Sequence, residues 1–208
     1  MTDAQQDSLA ELPTPAAEHT VMGMPELLSP PPEYWTRDLA RALPEDGNRY
    51  EVVYGELLVT PAPKLAHQEL VGRLYRALTE YLDREPVGHV LFSPADISWD
   101  QETLLQPDLF VADREEARTM DWARIQHLLL IIEVLSPSTA RFDRFTKRRR
   151  YQEAAIPQYW IVDPEHRHTE IWTPADHTPR IERELVTWSP AGAGAPFQLS
   201  LGALFRPL

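Results

Sequence analysis

The chain has 208 residues, 43% of them hydrophobic, enough for one domain with a sizeable core plus a tail. The absence of cysteine excludes disulfides and thiolate metal sites, and the formal charge of −12 argues against general nucleic-acid affinity, because phosphate contacts need Lys and Arg. No apolar run approaches the ~18 residues of a membrane span, and the acidic start MTDAQQDS lacks a basic n-region and an apolar h-region, so a cytoplasmic protein without a membrane partner is expected.

Residues 1–35, including PTPAAE and SPPPEYW, are rich in Pro, Glu and Ala and are expected to form an acidic, disordered tail, with a single domain over 36–208. The charge is uneven: residues 1–46 hold nine acids and two arginines, a net −7, whereas 141–150 hold six basic residues and one acid, a net +5. A short helix is predicted over 36–43, ended by Leu43-Pro44 and the turn residues that follow. From Tyr50, YEVVYGELLVTPAP predicts two short strands turning at Gly55, with Glu51 and Val53 on one face. Residues 66–85 place Leu70, Leu74, Ala77, Leu78, Tyr81 and Leu82 at spacings of three and four, an amphipathic helix. Strands are predicted at 89–99, 104–112 and 128–136, with a polar, helix-prone insertion between the last two. A helix at 143–155 stops before Pro157, a strand follows at 158–164, and the remainder reads as a further hairpin and a loop. The order helix, three strands, helix, strand is that of a mixed α/β sandwich rather than a regular βαβ alternation.

Within LLLIIEVLSP (128–137), Glu133 interrupts a strand that is apolar on both faces, so its carboxylate needs a cation, a metal or a proton. Asp108, after Pro107 in LLQPDLFVA, is a second acid among apolar neighbours. If the two strands pair, the carboxylates converge, and like charges then disfavour joint ionisation unless a cation lies between them; oxygen ligands favour a hard divalent ion. On a helical wheel, Asp143, Arg144, Lys147, Arg150, Tyr151, Ala154 and Ala155 share one face, Arg148 and Arg149 point elsewhere, and Phe145 falls opposite. Lys147 lies in the first turns after the Glu133 strand and can reach its end. Taken singly, each residue has a plainer reading: Glu133 a paired strand acid, Asp108 a turn residue, Lys147 a snorkelling lysine and the arginines a solvated face.

In combination and chain order, PD (107–108), E-x-L (133–135), D-x-x-x-K-x-x-x-Y (143–151) and YWIVDP (159–164) resemble the Uma-two family of restriction-endonuclease-like proteins, within the PD-(D/E)XK nuclease superfamily. The resemblance runs from about Tyr50 to Pro174. It implies a restriction-endonuclease-like αβββαβ core, a mixed central sheet flanked by helices, with an additional N-terminal β-hairpin. It implies Asp108, Glu133 and the Val134 carbonyl as ligands of Mg²⁺, or of Mn²⁺ in its place, with Glu51 and His67 as further site residues. The superfamily lysine normally stands two residues after the acid, where this chain has Leu135, and the resemblance implies that Lys147 delivers the amine from the helix instead. Asp108, Glu133, Lys147 and Glu51 are then the candidate catalytic residues, Arg144, Arg148, Arg149 and Arg150 the candidate phosphate contacts, DNA the partner, and a homodimer an arrangement suited to cutting both strands. Two functions stay open: a metal-dependent DNA endonuclease, or a noncatalytic binding or assembly protein that keeps the fold with Glu133 and Lys147 as a buried ion pair.

Overall fold

A computed structural model describes residues 33–207. Most of the expected tail, up to residue 32, lies outside the described residues. Its last residues do not stand apart from the domain: Trp35 donates its N–H to the Gly55 carbonyl at 2.8 Å and packs on Ala40, Val52 and Leu104.

The predicted elements form with shifted ends. Helix α1 (Arg37–Arg41) is capped by the Thr36 hydroxyl, which accepts the Leu39 N–H. Strands β1 (Arg49–Val53) and β2 (Glu56–Thr60) turn through Tyr54 and Gly55, both at positive φ. Helix α2 (Leu65–Arg84) buries Leu70, Leu74, Leu78, Tyr81 and Leu82. The strand expected over 89–99 is shorter: β3 (Gly88–Phe92) ends before Pro94, which has no N–H to continue a ladder, and only Ile97 makes a further bridge, to Leu105. The strand expected over 104–112 divides into β4 (Thr103–Leu104), which pairs with β1, and β5 (Leu109–Asp113), which enters the main sheet. The polar insertion carries the short helix α3 (Arg114–Ala117) and a 3₁₀ turn at Trp122–Arg124.

Strand β6 (Leu128–Val134) is covered on both faces, as its apolar run requires. The following helix begins as a π-helix at Phe142–Lys147 and continues as α4 (Arg148–Glu153). It presents Asp143, Lys147 and Tyr151 inward and leaves Phe145 exposed. Strands β7 (Tyr159–Asp163), β8 (His168–Trp172) and β9 (Arg180–Glu182) extend the sheet. The C-terminal segment is more ordered than a hairpin and loop: β10 (Leu185–Trp188) and β11 (Phe197–Ser200) pair, and helix α5 (Leu201–Leu204) follows.

The central sheet has the order β3-β5-β6-β7-β8-β9 and is antiparallel except for the parallel pair β6–β7. One face packs on α2 and the β10–β11–α5 segment through Leu74, Leu130, Ile132, Trp160 and Phe197. The other packs through Phe110, Ile131, Tyr159 and Ile161 on Tyr151 and the 95–105 segment. No described helix is long and apolar enough to cross a membrane.

Candidate active site

Register brings three elements to one end of the central sheet. Pro107 cannot donate to a ladder, so β5 begins after it, and Asp108 stands one position before the pairing Leu109↔Ile132. The antiparallel register places Glu133 across from it, and alternation puts both carboxylates on the face of Phe110 and Ile131. The Asp108 N–H reaches Glu133 Oε2 at 3.4 Å, and the Val134 N–H donates to Asp108 Oδ2 at 2.9 Å. Lys147 enters from the π-helical turn with its Nζ 3.1 Å from Glu133 Oε1, 2.9 Å from Glu51 Oε2 and 3.3 Å from Asp143 Oδ1. Glu51 arrives from β1, and its other oxygen accepts the Gln106 N–H at 2.8 Å. His67, in the first turn of α2, has Nε2 3.0 Å from Asp108 Oδ2. These residues line a cavity of about 340 Å³, together with 60–64 and 135–139.

Two residues to which the sequence pattern assigned no role complete the pocket. Arg49 donates to Asp108 Oδ1 at 3.2 and 3.3 Å and to the Gln106 carbonyl at 2.8 Å. Its signal was its place two residues before Glu51, hence on the same strand face. Asp143, four residues before Lys147, is the ammonium's third carboxylate, and its Oδ1 is buried without an aligned hydrogen bond.

The carboxylates titrate in opposite directions. Burial pushes Asp108 up, but the His67 hydrogen bond, Arg49 and the Val134 N–H outweigh it and hold Asp108 below the usual aspartate value. Burial lifts Glu133 well above the usual glutamate value, with Lys147 offsetting only part of the rise, and burial likewise raises Asp143. For Lys147, burial favours the neutral amine, but Glu133, Glu51 and Asp143 reverse that and hold the ammonium well above its ordinary pKa. Glu51, Asp108, Glu133 and Asp143 supply four carboxylates against the two permanent cations Lys147 and Arg49, so the carboxylates when ionised exceed those cations by two negative charges. A hard divalent cation fits that surplus and its all-oxygen donors.

The four arginines assigned to phosphates do not line this cavity. Arg144 holds Asp163 at 2.6 Å and Glu170 at 2.7 Å. Arg148 lies over the Trp172 ring and donates to the Arg144 carbonyl and Gln152. Arg150 bonds Thr103 and Asp100. Arg149 pairs with Glu153 while its side chain stays 69% exposed.

The profile of a family described as "Uma2: Putative restriction endonuclease" matches residues 37–201. No curated protein matches the chain. A crystal structure described as that of a putative nuclease belonging to DUF820, from Anabaena variabilis, superposes with a TM-score of 0.66 at 18% identity, covering 82% of this chain and 97% of that one. The fold is thus restriction-endonuclease-like: a mixed central sheet flanked by helices.

Proposed function

The chain belongs to the Uma2 family, and we propose that it is a metal-dependent endonuclease that hydrolyses phosphodiester bonds of DNA. The observation that carries this reading is the meeting of Asp108, Glu133, Glu51 and Lys147 in one pocket with more carboxylates than cations. Asp108 and Glu133, with the Val134 carbonyl, would hold Mg²⁺, with Mn²⁺ as a substitute. When bound, such an ion polarises the phosphodiester and acidifies a coordinated water. Lys147 keeps its proton in this environment, so it offers positive charge to the pentavalent transition state and a donor that orients the water. Glu51 holds the amine from the β1 side, and Arg49 and His67 fix the Asp108 carboxylate. DNA phosphates are assigned to the 144–150 segment; Arg149 is the exposed member, and Arg144, Arg148 and Arg150 can join it by leaving internal partners. Two such sites in a symmetric dimer suit cleavage of both strands.

A second reading, a noncatalytic protein that keeps the nuclease fold, is favoured by one observation. The ammonium of Lys147 already sits among three carboxylates, which makes a self-sufficient buried ion cluster. Incubation of the purified protein with supercoiled and linear DNA, with Mg²⁺, with Mn²⁺ and with EDTA, separates the two. Nicking or linearisation that needs the metal and disappears in Asp108→Asn is expected. DNA left intact under every metal, by a protein that still melts cooperatively, would leave the noncatalytic reading.

A further inference from the structure

A different donor set lies at the β7–β8 hairpin. The antiparallel register pairs Asp163 with His168, so their side chains leave the same face of the sheet, and the turn between them carries His166. His166 Nδ1 is 3.0 Å from Asp163 Oδ2, and one ligand atom from each of Asp163, His166 and His168 lies within 4.8 Å of the others. The Asp163 carboxylate is already oriented, because its Oδ1 accepts the N–H groups of Glu165 and His166 at 2.9 Å each. His168 is only 6% exposed, and its Nδ1 is buried with no hydrogen-bond partner. A buried imidazole nitrogen without a partner is unfavourable unless something fills its lone pair or takes its proton.

We infer that Asp163, His166 and His168 form a second metal site, selective for a borderline divalent ion such as Zn²⁺ rather than for Mg²⁺. Two imidazoles and one carboxylate suit zinc, nickel or copper, whereas the Asp108 pocket offers oxygen donors. Donors about 2.0–2.2 Å from a tetrahedral zinc stand roughly 3.4 Å from one another. The Asp163–His166 pair is already that close. His166, with its side chain 63% exposed on the turn, is the member with room to adjust, while Asp163 and His168 are buried in the sheet.

Arg144 opposes the ion. Its Nη2 donates to Asp163 Oδ2 at 2.6 Å while its Nε holds Glu170 at 2.7 Å. Metal and guanidinium compete for one oxygen, so binding leaves Arg144 on Glu170 alone. Arg144 lies three residues before Lys147 on the same π-helical turn, which ties occupancy of this site to the segment that carries the amine of the Asp108 pocket.

The test is titration of the untagged full chain with ZnCl₂ by calorimetry and by competition with a chromophoric chelator, with Co²⁺ spectra as a report on nitrogen ligation. His166→Ala changes an exposed turn residue and should keep the fold, yet it should weaken Zn²⁺ by about tenfold or more. Arg144→Gln, by removing the competing cation, should tighten it. Asp108→Asn should leave it unchanged. Zn²⁺ affinity equal in wild type and His166→Ala, or lost in Asp108→Asn instead, would overturn the assignment whatever the outcome of the DNA cleavage assay.

Discussion

Lys147 carries more of the pocket's electrostatics than any other side chain, because three buried carboxylates have their charge met by one ammonium. Replacing it by Met, similar in length but neutral, leaves Glu51, Glu133 and Asp143 facing one another out of water. Removing one partner of a buried ion pair costs about 3–5 kcal/mol, so Lys147→Met should melt far below wild type in EDTA and recover part of the loss in Mg²⁺. A mutant equally unstable with and without Mg²⁺ would argue that no ion enters the pocket. The opposite substitution gives the opposite sign. In metal-free protein, burial holds the Glu133 pKa well above its value of 4.5 in an unfolded chain. The unfolded chain therefore gives up this proton at lower pH than the folded one. The stability cost therefore builds as the pH rises from about 4.5 towards the folded pKa, and it is absent below about 4.5. Glu133→Gln removes the cost and still leaves Lys147 with Glu51 and Asp143. Melts in EDTA should show the variant at least as stable as wild type at neutral pH, with the difference shrinking as the pH falls towards 4.5; a large loss at neutral pH would contradict this.

At the scale of elements, the β1–β2 hairpin matters because it hands Glu51 to Lys147. Its two-residue turn needs positive φ at both Tyr54 (+54°) and Gly55 (+79°), the geometry that matches the twist of paired strands. A β-carbon at Gly55 would also collide with the Tyr34 ring. Gly55→Ala should therefore cost on the order of 1–3 kcal/mol, measured by denaturant unfolding, and an unchanged midpoint would show that the turn relaxes freely. The turn residue, the α2 stripe and the apolar β6 run were all readable locally, since each expresses a short-range period or a φ requirement. Asp108, Glu133 and Lys147 were readable as a motif in chain order. What was not readable depends on distant partners. Residues 104–112 look like one apolar strand, yet Leu104 answers to Val52 of β1 and Leu109 to Ile132 of β6. Arg49 looked like any strand-end arginine because its partner, Asp108, lies 59 residues further along the chain. Strand β11 was hidden because its pairing with β10 closes across a Gly/Ala/Pro-rich loop, while Phe197 and Leu201 find their core against α2.

Over the whole molecule, a formal charge of −12 repels any anionic polymer, and the 141–150 segment, at a net +5, is the local exception. Residues 1–32 hold five acids and neither Lys nor Arg, so a chain starting at Glu33 has a formal charge of −7. That cut keeps Trp35, which packs on Ala40, Val52 and Leu104. Starting at Arg37 instead should lower stability by roughly 1–3 kcal/mol, the value of a partly buried large apolar side chain. If DNA docks at the 144–150 segment, the long-range repulsion from residues 1–32 weakens the encounter without touching the contact itself. The 33–208 chain should then bind duplex DNA more tightly than the full chain at low salt, and the advantage should shrink as ionic strength rises and the screening length falls below about 10 Å. Fluorescence anisotropy with a labelled duplex, in EDTA so that cleavage cannot intervene, measures both affinities across a salt series. Arg149→Glu in the truncated chain should reverse the gain, because it turns the exposed cation of the segment into an anion. Equal affinities for the two chains at low salt would show that the acidic segment exerts no field on the DNA surface, and binding indifferent to Arg149→Glu would place that surface elsewhere.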